Sequence, residues 1–474
     1  MNTQRIKSIV LFTLVIMSFV LTTRIWFNIS IEGLFPMSQS NPIQAELTYD
    51  KENLLKPSKL VINAGQNHTL LYNDSKDKDY YSFVLNGSKD TIRDWLTNHE
   101  SYTLSILPKS ELQEIRKQRA VELIFEYYMD IENIKSLLGV EKNPWNDIAN
   151  ISSIIISPFE NKMYVIDENK ERIYQFTSVQ KPTILTGVLT ELEKRKAFPD
   201  VFLYDYNKLN QESYTDFAIA PISIMIMPIL KVNNEIKLEG ELDPEVANFF
   251  NPDSSNVSKF VDLDGKITYT DREEETLTID SEGALEYYKY NVTPDNAEPT
   301  GVEEATDIAA QYVNNHLGFT YDFYLSKVES EIQGGRTSYT ISFDYKYDGM
   351  PVIKELNTGS AIEVEVMGKE VKRYKRNVKV IEDSGQTVSI MNFTDILNIV
   401  WGDLDSKLNA KSESIVVLND LYLAYFEGND GLTPVWVADV TVEDKENKQR
   451  GRKYIIDAEV SKFRAILGEQ EIKQ

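Results

Sequence analysis

The sequence predicts an α+β protein: a single N-terminal transmembrane helix followed by an exported multi-domain body with antiparallel sheets, each covered by helices. Three observations carry this. A long apolar run stands near the N-terminus, helical segments in the second half are each followed by a meander of alternating strands, and the 474-residue chain has no cysteine and a formal net charge of −24.

The apolar run is "IKSIVLFTLVIMSFVLTTRIWF", residues 6–27. Its uncharged part, 8–23, would span about 24 Å as a helix, short of the ~30 Å hydrocarbon core. Arg24 can snorkel its guanidinium to the headgroups, and Trp26 and Phe27 suit interface depth, so residues 8–27 suffice for a membrane anchor. Arg5 and Lys7 precede the run with no acidic residue near, which places residues 1–7 in the cytoplasm as a short end. Cleavage of a signal peptide needs small residues, and "LTTRIWFNIS" is bulky and charged, so the anchor is expected to be retained. Within it Phe12, Ile16, Phe19 and Thr23 fall on one helical face, a candidate partner-binding face in the bilayer.

Residues 28–57 lack a clear period and read as a stalk; 58–235 read as an N-terminal mixed α/β domain. In it, "KDTIRDWLTNH" (89–99) has helical spacing. So has "ELQEIRKQRAVELIFEYYM" (111–129), where Leu112, Ile115, Ala120, Leu123, Ile124 and Tyr127 approximate one face. Ser88 in "GSKD" is an expected N-cap after a turn at Gly87. "ISSIIISPF" and "NKMYVIDEN" read as strands, "PTILTGVLTELEKRKA" (182–197) as a strand entering a helix, and "IAPISIMIMPIL" (219–230) as one buried strand.

Two units of helix followed by meander come next. The central α+β domain, 236–382, holds helix "GVEEATDIAAQYVNNHLG", strands "YDFYLSKVESEI", "TSYTISFDYKY" and "PVIKEL", and a strand pair turning at Gly368. The C-terminal α+β domain, 383–474, holds helix "TDILNIVWGDLDSKL" and strands "SIVVLNDLYLAYFE", "TPVWVADVTVED" and "RKYIIDAEV".

Chemistry is sparsely marked. With no Cys and only His68, His99 and His316, there is no thiolate zinc site and no cysteine nucleophile. The acidic balance argues against nucleic acid as a partner. "DLDGKITYTD" (262–271) fails as a calcium loop: with Gly265 at the glycine position, Phe260 falls where the first ligand belongs and Asp271 where a bidentate Glu belongs. It reads instead as a hairpin turn. His316, near a helix end, suits a surface or capping role as a cation on the helix dipole. No serine elbow, zinc-protease motif or phosphate loop occurs, so no enzyme activity, cofactor or metal is expected.

The layout resembles the YycH-type accessory regulators of the essential cell-wall histidine kinase system in low-GC Gram-positive bacteria. The segments that carry the resemblance are "NFFNPDSSNV" followed by "GKITYTD", then "YDGMPVI", "LTPVWVADV" and "KYIIDAEV". The last two also resemble the shorter YycI-type partner, whose fold is similar to the C-terminal part. The resemblance implies a non-enzymatic protein of the cell membrane, single-pass with an extracytoplasmic body. Its partners would be a membrane sensor histidine kinase and a YycI-type regulator, met partly helix to helix in the bilayer. Two other classes stay open: an envelope enzyme acting on wall polymers, favoured by paired carboxylates in a deep cleft, and a structural or chaperone-like envelope protein.

Overall fold

The computed structural model describes residues 51–467 apart from internal segments, the longest being 140–147, 203–212, 237–247 and 293–300. The expected cytoplasmic end, the expected anchor with Arg5, Lys7, Phe12, Ile16, Phe19, Thr23, Arg24, Trp26 and Phe27, and most of the expected stalk lie outside the described residues. No helix among the described residues is long and apolar enough to cross a membrane. The last part of the expected stalk belongs to the body. It forms helix α1 (Lys51–Leu55), whose Leu54 and Leu55 are buried.

The first sheet is built from β1 (Lys59–Ala64), β2 (Asn67–Leu71), β3 (Tyr102–Pro108), β4 (Ala120–Met129), β5 (Ile151–Ser157), β6 (Lys162–Asp167), β7 (Arg172–Ser178) and β8 (Asp200–Phe202). After β9 (Ser213–Thr215), which joins the other sheet, β10 (Ile219–Pro221) completes it. The order is β10-β8-β2-β1-β4-β5-β6-β7-β3, antiparallel throughout. Helices α2 (Lys78–Thr97), α3 (Leu112–Arg116), α4 (Ile131–Leu138) and α5 (Thr183–Arg195) connect these strands. Trp95, Leu137 and Leu189, one from each of the three longer helices, share an apolar core with Leu60, Ile62 and Leu123 of the sheet. α3 contributes Leu112 and Ile115 to a second, smaller cluster with Ile155, Tyr164 and Ile173.

The second sheet takes β11 (Ile226–Asn234), β12 (Ser258–Val261), β13 (Ile267–Thr270), β14 (Glu275–Ile279) and β15 (Leu285–Lys289), then helix α6 (Val302–Asn315). β16 (Asp322–Gln333), β17 (Arg336–Tyr347), β18 (Met350–Ile353), β19 (Ile362–Met367), β20 (Glu370–Arg376) and β21 (Lys379–Ser389) follow. Helix α7 (Phe393–Lys407) precedes β22 (Ile415–Gly428), β23 (Gly431–Glu443), β24 (Gln449–Asp457) and β25 (Phe463–Leu467). One path runs β12-β13-β14-β15-β20-β19-β17-β18-β22-β23-β11-β21. Short β18 is the splice: it turns back antiparallel on β17 and lies parallel to β22. α6 packs on β17, β19 and β20. α7 is tied to the last meander by Tyr454, whose hydroxyl donates to Asp403 at 3.0 Å, and the segment leading into it by Trp436 Nε1, which donates to the Met391 carbonyl at 3.1 Å. The α+β class, with antiparallel-rich sheets and few helices, therefore holds for the described residues.

Several local expectations are corrected. Residues 120–129 are not helix but β4, a central strand paired on both edges, because a run of Val, Ile, Phe and two Tyr suits the pleat and its neighbours supply the ladder. The helical reading survives only in α3. Residues 183–195 are helix from the start: the Pro182 carbonyl accepts from the Thr186 amide, so the expected entering strand is replaced by the first helical turn. Ser88 is no cap. It lies inside α2 with its hydroxyl donating to the Val84 carbonyl at 2.8 Å. Gly87 is helical too, and a Cβ there would meet Ile184 Cγ2 of α5 at 3.0 Å, so the glycine permits close helix approach. Residues 219–230 are two strands in two sheets, β10 at an edge and β11, where Ile226 is 68 % exposed. Edge placement suits Pro221, and Pro228 is paired with β21 alone, since the contact of β11 with β23 is made at Leu230. The hairpin turn at Gly265, with φ +85°, and the turn at Gly368, with φ +62°, are as expected.

Two links cross the boundaries expected near 235/236 and 382/383. β11 pairs with β21 along its length, and buried Arg376 donates to both Glu235 carboxylate oxygens at 2.6 and 2.7 Å and to the Gly318 carbonyl at 2.8 Å. The described residues of both segments share one sheet.

Candidate functional site

A pocket of about 530 Å³ opens where the first sheet meets the splice of the second. Its first wall comes from the overhang of β4. Both ladders of β4 reach Ile124, and the one with β5 resumes only at Met129, so residues 125–128 extend past their neighbours. Alternation along the overhang turns Glu126 and Tyr128 outward, both exposed, while Phe125 and Met129 enter the core. Lys59, the first residue of β1, and Tyr72, just beyond β2, complete this wall.

The second wall is a polar face of β16 and β17. Tyr324 stands opposite Asp344 in the ladder, and Asp322 opposite Lys346. A register shift between Leu325 and Lys327 leaves Ser326 as the extra residue, its hydroxyl donating to the Ser342 carbonyl at 3.2 Å. The third wall is β18 with β22 and β23. There Asp420 and Asp439 face each other directly across the ladder, which would be unfavourable for two bare carboxylates. Cations and an amide offset that. Lys59 Nζ lies 2.8 Å from Asp420; Asp439 takes the Asn419 amide at 3.2 Å and has Lys453 at 3.9 Å.

Burial perturbs these groups. It pushes the Asp420 carboxyl above its ordinary value, with Lys59 acting in the opposite direction. It lowers the ammonium of Lys346, which is 7 % exposed, and Glu126 is the strongest charge acting to restore it. The phenols of Tyr72, Tyr324 and Tyr422 are raised by burial first and by the surrounding carboxylates second, so they stay protonated donors. Such a concentration of shifted groups in one concavity marks a candidate binding site.

None of the pocket charges was singled out in the sequence. Three of the segments that carry the family resemblance do reach it: "YDGMPVI" through Gly349 to Ile353, "LTPVWVADV" through Asp439, and "KYIIDAEV" through Lys453. The anchor residues proposed as a partner face lie outside the described residues, and the structure does not place them. His316 closes α6, but as a half-buried ring stacked on Tyr312 at 4.0 Å and tilted against Phe249 at 4.5 Å. Burial acts to lower its pKa, while two carbonyls act to raise it: Nδ1 lies 2.8 Å from the Tyr312 carbonyl and Nε2 3.0 Å from the Asn248 carbonyl, so the ring caps the helix end as expected, but packed rather than on the surface. No group of acidic and histidine side chains able to hold a metal ion occurs among the described residues.

No family model matches the chain, and no curated protein matches it. Among solved structures, it is similar to an uncharacterized protein from Eubacterium rectale ATCC 33656, at 13 % identity and a TM-score of 0.37, over 55 % of this chain and 92 % of that one.

Proposed function

We propose that the protein is a membrane-anchored extracytoplasmic regulator that binds a sensor histidine kinase, together with a YycI-type partner, and modulates its activity in cell-wall homeostasis signalling. The observation that carries this reading is the apolar segment 8–27 placed ahead of an acidic α+β body. The motif segments that resemble YycH-type regulators support it, as does a chain without a recognisable catalytic motif. A kinase with two helix-packing states responds to any partner that binds one of them better, by an amount set by that difference. In the bilayer the face of Phe12, Ile16, Phe19 and Thr23 offers two rings and a hydroxyl for packing. N-terminal sequencing of the protein extracted from membranes tests the anchor: the mature chain starts at Met1 or Asn2, and a start near Asn28 contradicts the proposal.

One observation favours a second reading, an envelope enzyme acting on wall polymers: Asp420, with its raised carboxyl, stands opposite Asp439 in a pocket. The ion pair of Asp420 with Lys59 at 2.8 Å weighs against it, since a general acid must carry a proton. Release of soluble fragments from purified cell wall by the wild type, lost in Asp420→Asn, would support the enzyme over the regulator.

A further inference from the structure

Among the described residues, four charged side chains that line the pocket have no ion pair: Lys346, Lys354, Glu126 and Asp344. Lys354 donates to the Asn377 carbonyl and Asp344 accepts from the Ala361 amide, which leaves Lys346 and Glu126 as the pair of opposite sign to be explained. Lys346 is almost wholly buried, yet its ammonium donates to a neutral group, the Ser58 carbonyl at 3.0 Å, and lies 5.0 Å from the Tyr324 ring centre. Among the described residues it has no carboxylate within ion-pair distance. Its ladder partner Asp322 is held elsewhere, by Lys56 at 2.6 Å and by Asn73 at 3.1 Å. The neighbouring Lys59 is committed to Asp420.

On the facing wall Glu126 projects from the overhang of β4, exposed, and no ion pair or hydrogen bond engages it among the described residues. Its field nevertheless reaches Lys346, Tyr324, Tyr422 and Asp420, so carboxylate and ammonium look into the same space. Keeping an ammonium buried without a countercharge costs stability unless something else compensates it. A fold that keeps one in a water-accessible concavity of about 530 Å³, beside an opposite charge too far away to pair, is arranged for a bridging guest.

We infer that this pocket binds a small zwitterion, the free-ended short peptide being the class it fits: carboxylate on Lys346, ammonium on Glu126, and the chain between them over the rings of Tyr324 and Tyr422. Each end meets a charge-assisted hydrogen bond. A simple anion would satisfy Lys346 but meet repulsion from Glu126, Asp344 and Asp420; a simple cation would meet the reverse problem at Lys346. Only a guest with both charges, separated by the span of the pocket, gains from both. Tyrosines contribute wide contact area at little conformational cost. This inference goes beyond the regulatory proposal and stands on the pocket alone, so either can fail without the other.

The test is calorimetric titration of the full chain, held in detergent micelles, with trialanine, N-acetyl-trialanine and trialanine amide. Free trialanine is expected to bind saturably at one site, and capping either end to weaken binding tenfold or more. Lys346→Met should erase the preference for the free carboxylate and leave the preference for the free amine; Glu126→Gln should do the opposite. Both variants are checked by melting, and Glu126→Gln, at an exposed position, keeps the comparison valid if the buried substitution perturbs the fold. Absence of saturable trialanine binding up to roughly 10 mM, tenfold above a millimolar Kd, overturns the inference. So does equal affinity for free and capped peptides.

Discussion

At the scale of single residues, the body carries buried charges of two kinds. Arg116 and Glu122, 4 % and 0 % exposed, form a bidentate pair with contacts of 2.8 and 3.0 Å, and Ser153 donates to the same carboxylate at 3.0 Å. Removing one member strands the other, so Glu122→Ala is expected to cost about 3–5 kcal/mol in denaturant unfolding, while an Arg116→Met, Glu122→Leu double replacement stays near neutral. Lys346 is the other kind, with no carboxylate at ion-pair distance among the described residues. Its folded pKa is depressed, so its burial is unfavourable wherever it is protonated and ceases to matter once the unfolded chain also loses the proton. Lys346→Met should therefore raise the melting temperature at pH 7, with the gain shrinking toward pH ~10.5, the ordinary lysine value. A gain independent of pH would show that packing, not charge, was responsible.

Histidine gives the acid limb. His68 is buried, its Nδ1 2.8 Å from the Asn63 side-chain oxygen, and burial lowers its pKa from 6.5 to about 4. A depressed folded pKa means that stability is present above pH ~6.5 and is lost as pH falls toward 4, by roughly 3 kcal/mol. His68→Gln, which keeps a donor for Asn63, should flatten the decline between those values in pH-dependent unfolding. None of these residues was legible as special in the sequence. Lys59 and Asp420 pair across 361 positions, and on alternating strands a Lys or Asp every second residue reads as an ordinary solvated face. What made the pocket was long-range pairing, which local spacing does not encode.

At the scale of elements, the second half of the chain was more legible than the first. Long strands such as β16, β17, β22 and β23 alternate over 12 to 14 residues, and each meander follows one amphipathic helix, so period and turns agree. In the first half the same apolar residues fit two periods. Leu112, Ile115, Ala120 and Leu123 lie on one helical face, but pairing of residues 120–124 with β1 and β5 decides for strand. The two strands at 219–230 could not be separated by composition, since only their membership of different sheets divides them. The ladder of β11 with β21 makes a direct expectation. Residues 226–234 and 379–389 should resist limited proteolysis, and Arg376→Met, which strands Glu235, should open both to cleavage. Cleavage there in the wild type would contradict the paired geometry.

At the scale of the whole molecule, an apolar N-terminal segment ahead of an acidic body supports the proposed partnership with a membrane kinase. Replacing Phe12, Ile16 and Phe19 together with Leu keeps hydrophobicity while changing shape. If that face makes contact, the triple variant reaches the membrane at normal levels but loses its partners; a scrambled apolar helix that works as well as the natural one would place recognition in the body. The most direct measurement is affinity purification of the full chain from solubilised membranes, with identification of the membrane proteins that accompany it. The account predicts a sensor histidine kinase and a smaller YycI-type protein in stoichiometric amounts, both lost with the triple variant. Recovery of the full chain from the membrane with neither of them would contradict it.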